Sequence, residues 1–269
     1  MEMINLEWRK IRKGVYGWIA TYALSILMFI AFFPSMQTDS MQSLAFAKME
    51  SMSTVVLSIF GLDTIPDFTR INNYYGYVAQ FMNMAACIFS ATLGLNMLIR
   101  EETEGTIEYL YAKPITRKEL FWQKSLTNFF GFFLFVLISS LVIFSGFVFF
   151  AKETASAALG LTVFFAKGTF FAGLVFMSIG ILLSTIISSS RISSTVAFAL
   201  VFGTYSLGIM SSLINKLNFL KYLSPLDWVK YSFTGGPTFT TLTWGIGIAV
   251  IVISLIIGML IYQNKDFQS

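Results

Sequence analysis

Six stretches of the chain run without an Asp, Glu, Lys or Arg for about the length of a bilayer crossing: 15–33, 77–99, 129–150, 168–187, 195–214 and 242–262. A hydrocarbon core about 30 Å thick needs about 20 helical residues at 1.5 Å each. The pattern therefore predicts an all-α integral membrane fold with six transmembrane helices, forming a single domain over 1–269. Ahead of the first span, Ile4, Trp8, Ile11 and Val15 recur at helical spacing opposite Arg9, Lys10, Arg12 and Lys13, which predicts an amino-terminal amphipathic interfacial helix. The first apolar run is longer than the core of a signal peptide and Phe32-Phe33-Pro34 offers no small-residue cleavage site, so it is read as a retained span. Between Pro34 and Tyr74, Met41, Leu44, Met49, Met52, Val55, Val56, Ile59 and Phe60 suggest a helix on the membrane or against the domain, or a loosely packed outer helix.

Composition narrows the chemistry. The chain is 56% hydrophobic and 12% charged, about half the charge of an ordinary soluble domain. It has no histidine, which removes Ser-His triads and His-ligated zinc or haem, and Cys87 is its one cysteine, which removes internal disulfides and CxxC metal sites. Neither GxxxxGK[ST] nor GxGxxG occurs, so no nucleotide-binding loop is recognisable and no catalytic or metal site is assigned. Arg9, Lys10, Arg12, Lys13, Arg100, Lys113, Arg117, Lys118, Lys124, Arg191 and Lys265 fall on the side of the two termini, against seven basic residues opposite, so the positive-inside rule places both termini in the cytoplasm of a multi-pass cell-membrane protein. The net charge of +4 reads as topology and contact with anionic membrane lipid, not as a nucleic-acid footprint.

With no charge inside the six stretches, an ion-coupled transporter is disfavoured, and helix association must come from close packing. Small residues at four-residue spacing supply it: Ala86, Ser90 and Gly94; Gly180, Ser184 and Ser188; Ala199 and Gly203; Ser254 and Gly258. Gln80, Asn83 and Asn96 on span two, and Thr204, Tyr205 and Ser206 on span five, either bond between helices or line a substrate path; Asn83 and Tyr205 are the path candidates, with spans two and five expected to face a partner chain. The abundant phenylalanines, with runs such as Phe129-Phe130, Phe132-Phe133 and Phe147 to Phe150, are expected mostly against lipid.

The segment from Arg100 to Lys124 reads REETEGTIEYLYAKPITRKELFWQK. Acidic residues open a helix over 101–112, Lys113 closes it as a helix dipole favours, and Pro114 stops it. Thr116-Arg117-Lys118-Glu119 is a capping box that starts a new helix into span three. Ile107, Leu110 and Tyr111 form an apolar stripe beside Glu101, Glu104 and Glu108, which suits insertion into a groove on a cytoplasmic partner, though an ordinary interfacial helix would show the same stripe.

This stretch resembles the signature loop of the ABC-2 type permeases, the membrane subunits of ATP-binding-cassette exporters. The family pattern E-x-x-x-G-T-x-E-x-L, then P-[IVL]-[ST]-R and a Lys, corresponds to Glu101, Gly105, Thr106, Glu108, Leu110, Pro114, Ile115, Thr116, Arg117 and Lys124. The resemblance implies a coupling helix between spans two and three, and Tyr222 to Leu226 with the segment to Thr241 resembles the family's partly re-entrant outer hairpin before span six. It further implies a permease subunit that exports an amphipathic substrate such as a drug, an antimicrobial peptide or a lipid-like molecule. ATP and Mg would act on a separate ABC ATPase subunit, with no cofactor or enzymatic chemistry on this chain. A second permease chain, identical or related, would complete a dimer in what is expected to be a bacterial plasma membrane. Glu101, Glu104, Gly105, Thr106, Ile107, Glu108, Leu110, Tyr111, Pro114 and Arg117 would dock the ATPase. The alternative is a non-transporting scaffold or sensor that borrows the same docking loop, and a cavity or path lined by spans two and five would distinguish the two.

Overall fold

In a bilayer every backbone N–H and C=O must be satisfied within the protein, which favours long unbroken helices. The computed structural model describes residues 2–60, 62, 66–104, 116–187, 189–233 and 239–264, and among these every regular element is a helix. In chain order they are α1 (Glu2–Met36), α2 (Asp39–Glu50), α3 (Thr54–Ile59), α4 (Ile71–Glu104), α5 (Arg117–Phe149), α6 (Ala155–Ser184), α7 (Ser190–Leu213), a 3₁₀ helix (Asn215–Leu223), α8 (Pro225–Trp228) and α9 (Thr241–Asn264). Six of them, α1, α4, α5, α6, α7 and α9, are long and apolar enough to cross a membrane.

Several boundaries differ from the pattern of uncharged residues. The amphipathic amino end and span one are one continuous helix, and its apolar stripe is turned onto α5: Val15 is fully buried, and Trp8, Ile11 and Val15 gather over Gly131. The helix of span three starts at Arg117, where the capping box predicts it, ahead of the uncharged stretch that begins at Phe129; the last charge between them, Lys124, is tucked inside the bundle. Span four starts at Ala155 instead of Gly168. Thr154 caps that helix by accepting from the Ala157 N–H, and Lys167 sits exposed partway along it. The long helices thus extend beyond the uncharged stretches and carry charged residues there, while the six stretches themselves hold none. The segment between α1 and α4 forms two short helices, with Leu44, Val55 and Ile59 exposed.

The bundle is organised around α4 and α6, which run side by side in the same direction. Asn83 meets Thr169, and further along the same two helices Gly94 meets Gly180. At that second crossing a Cβ on Gly94 would collide with Met177 O and lie 2.9 Å from Ile181 N, and one on Gly180 would lie 3.1 Å from Leu95 N. Two helix backbones are therefore in direct contact, the close approach that substitutes for a hydrophobic driving force within lipid. The other small residues behave differently. Ser254 and Gly258 of α9 pack toward α6, but Ala199 and Gly203 of α7 are exposed, and it is Ala197, Val201 and Gly208 that turn inward.

Aromatic side chains fill the spaces the glycines leave. Phe132 and Phe135 stack at 5.8 Å, Tyr22 and Phe89 join them, and Phe132 fills the space over Gly173 while Phe171 does the same over Gly247. The phenylalanine runs accordingly divide between two surroundings: Phe132, Phe135 and Phe147 are fully buried, whereas Phe130, Phe133 and Phe149 are exposed. At 3.6 residues per turn, positions three and four apart share a face, so neighbours within a run are turned to different sides of the helix.

Candidate coupling and transport site

Of the docking candidates, Glu101 and Glu104 belong to the last turn of α4, which continues unbroken from the span where the sequence suggested a new helix. Gly105, Thr106, Ile107, Glu108, Leu110, Tyr111 and Pro114 lie outside the described residues. The chain re-enters at Thr116, where the capping box is formed in full: Thr116 N–H donates to Glu119 Oε2 at 3.1 Å and Glu119 N–H donates to Thr116 Oγ1 at 3.3 Å. Arg117, the first residue of α5, reaches across to the end of α9 and donates from Nη1 to Gln263 O at 3.2 Å.

Two turns into α5 is a polar cluster around Lys124, which the sequence marked as the Lys of the family pattern without its partners. Lys124 is 2% exposed; its Nζ donates to Met97 O of α4 at 3.2 Å and lies 3.8 Å from Glu7 Oε1 of α1. Asn128, one turn on, donates from Nδ2 to Leu93 O at 3.3 Å. Burying an ammonium is costly unless it is paired and hydrogen-bonded, and here both conditions hold. The two helices that flank the acidic segment are thus tied to each other, to α1 and to α9. The available signal was a Lys and an Asn at i, i+4 just ahead of an apolar run.

Near the opposite end of α4, Asn83 and Tyr205 line one small cavity bounded by α4, α6, α7, α8 and the end of α3. Asn83 is buried and accepts from the Thr169 hydroxyl. Tyr205 donates from its hydroxyl to Ile59 O at 2.9 Å, and Gln80 donates to Phe60 O at 2.9 Å, so side chains from α4 and α7 hold the carboxyl end of α3 across the opening. Asp227 and Lys230 also line it, and the Asp227 carboxylate packs against Gly208 where any larger residue would collide. Asn96 lines a separate cavity near the other end of α4. Thr204 and Ser206 instead bond carbonyls of their own helix, Leu200 O at 3.0 Å and Phe202 O at 2.9 Å.

The expectation that spans two and five both face a partner chain meets an obstacle at span two. Of its most apolar stretch, 67% is buried inside this chain, compared with 17% for α7. Helix α4 is enclosed by its own neighbours, leaving α7 as the more open of the two.

The chain combines six membrane-spanning helices, a formed capping box after an acidic segment, and a polar cavity between α4 and α7. Residues 1–267 match the family described as ABC-2 family transporter protein. Among curated proteins, none matches the chain. A match over nearly the whole length, on an all-helical membrane fold, establishes that this chain belongs to the ABC-2 transporter family.

Proposed function

We propose that the chain is the permease subunit of an ABC exporter, driven by a separate ATPase that docks on the segment running from Glu101 to Arg117. The observation that carries this reading is the family match together with the mechanical position of that segment. It joins α4 to α5, and directly beyond it Lys124 and Asn128 bind α5 back to α4 through Met97 O and Leu93 O. A displacement applied at the segment would therefore move both helices together with the amino end of α1. Closure of ATP-bound subunits supplies such a displacement, and a two-state change in the membrane part converts it into transport. The ATP and Mg chemistry belongs to that partner, and this chain does no covalent chemistry.

The cargo class is an amphipathic molecule. The cavity holding Asn83 and Tyr205 combines amides, hydroxyls, a carboxylate and an ammonium with Phe165, Leu226 and Val229, a mixture suited to a ligand with both polar and apolar parts. It also favours a transporter over a scaffold, which needs no such cavity. A second permease chain, identical or related, would complete the route. Co-purification tests the docking assignment. Glu104→Lys together with Glu108→Lys should abolish capture of the ATPase and transport-coupled ATP hydrolysis while membrane insertion is kept. Capture at wild-type affinity by the double variant would refute the assignment.

A further inference from the structure

Helices α1 and α4 separate near the amino-terminal end of α1, leaving an open crevice between them that is floored by α5. Its far end is closed by Trp18 stacked on Phe89 at 5.1 Å, and Leu93 adds to the apolar wall. Its near end is polar: Lys10 stands exposed at the mouth, Glu7 is buried 3.7 Å from it and 3.8 Å from Lys124 beneath, and Asn96 contributes a carboxamide. Two ammonium groups and one carboxylate leave one net positive charge, with Arg9, Arg12 and Lys13 nearby on the same helix. An apolar pocket with a cationic mouth, at the end of a membrane-spanning helix, matches an anionic amphiphile that enters from the lipid.

Gly14 bears on whether the space is used. It lines the crevice within α1, yet a Cβ built on it meets nothing within 4 Å, so helix packing does not require glycine there. Glycine in a helix interior is disfavoured relative to alanine. What glycine preserves at this position is the open volume, unlike Gly94 or Gly180, where it permits contact.

We propose that this crevice binds an anionic phospholipid from the leaflet on the side of the amino terminus, its phosphate at Lys10 above the buried Lys124 and an acyl chain against Trp18 and Phe89. The proposal depends on membrane embedding alone, so it can fail while the ATPase-docking assignment stands, and the reverse.

The test reconstitutes the full chain in phosphatidylcholine nanodiscs containing a small fraction of acyl-brominated lipid, either phosphatidylglycerol or phosphatidylcholine. The Trp18 emission is isolated as the difference between wild type and Trp18→Phe. Quenching by brominated phosphatidylglycerol should exceed that by brominated phosphatidylcholine by about fivefold, the order of what one lysine near an anionic membrane surface contributes. Gly14→Leu, which fills the crevice without touching a charge, should remove that preference, and Lys10→Gln should reduce it. Equal quenching by the two lipids, or a preference unchanged in Gly14→Leu, would overturn the proposal. Loss of the preference on adding millimolar inorganic phosphate would identify a free-anion site and overturn the lipid assignment.

Discussion

The most demanding test of the packing is a pair of single-methyl additions. In Gly94→Ala the new Cβ collides with Met177 O and lies 2.9 Å from Ile181 N and 3.1 Å from Gly180 C, all backbone atoms of α6. A side chain could rotate away, but a helix backbone cannot, so α4 and α6 must part by roughly 1 Å, a gap that already forfeits a quarter to a half of the dispersion energy of each contact across it. Overpacking of this kind costs about 1–3 kcal/mol. Because this crossing lies in the central helix pair, the upper figure applies, lowering the folded-to-unfolded ratio about a hundredfold. Gly14→Ala adds the same methyl to open space and should be stabilising by up to about 1 kcal/mol through helix propensity alone. Unfolding in mixed detergent micelles, followed by tryptophan fluorescence, measures both. If Gly94→Ala unfolds within about 0.5 kcal/mol of wild type, the normal scatter of surface substitutions, the backbone contact does not hold the bundle together.

Other outcomes check topology, transport and the turn geometry. In a Cys87→Ala background, cysteines at the exposed positions Arg12 and Ser194 should resist an impermeant thiol reagent applied to intact cells, and one at exposed Ser51 should react; the reverse pattern would invert the orientation. The neighbouring Ser193 is 2% exposed and would stay silent on either side of the membrane. Asn83→Leu combined with Tyr205→Phe should stop export of a fluorescent amphiphile from vesicles while preserving assembly and basal ATP hydrolysis; normal export would remove both residues from the path. Lys152, in the turn between α5 and α6, has φ 55°, a left-handed backbone that costs a non-glycine residue about 1 kcal/mol, so Lys152→Gly should raise stability by about that much in the same micelle assay.

The features legible from sequence are those set by local chemistry. Thr116 and Glu119 announce a helix start because both hydrogen bonds are made within four residues, and the start is where the pattern puts it. The existence of six long helices follows from apolar length. Their ends follow less well, because a charge breaks a hydropathy run whether it faces water or is paired inside, and Lys124 is paired inside. Glu7 and Met97 O, its partners, come from distant parts of the chain, and no local spacing encodes them. The small-residue ridges show the same limit. Gly94 and Gly203 look alike in sequence, but only Gly94 has another helix against it, since which face of α7 turns inward is decided by neighbours. Asn83 and Tyr205 come together in one cavity although far apart in sequence, whereas the enclosure of α4 was hidden for the reason that Lys124's partners were.

The two cavities bear on how a route could form. Asn83 at one and Asn96 at the other are thirteen positions apart on α4 (83 to 96), about 20 Å at 1.5 Å per residue. Between them lie Phe89, packed with Phe132 and Phe135, and the backbone contact of Gly94 with Gly180. A molecule passing through the interior of one chain would have to part α4 from α6, the contact most resistant to separation. Helix α7, by comparison, leaves Phe198, Phe202 and Met210 exposed while Tyr205 on the same helix reaches into the cavity beneath α3. Opening along α7 would disturb fewer buried contacts and release the Tyr205 bond to Ile59, so under the proposed transport function a route between α7 and whatever packs against it would cost less. That geometry would suit the proposed pairing of two permease chains, with α3, fastened by Tyr205 and Gln80, lying across the cavity.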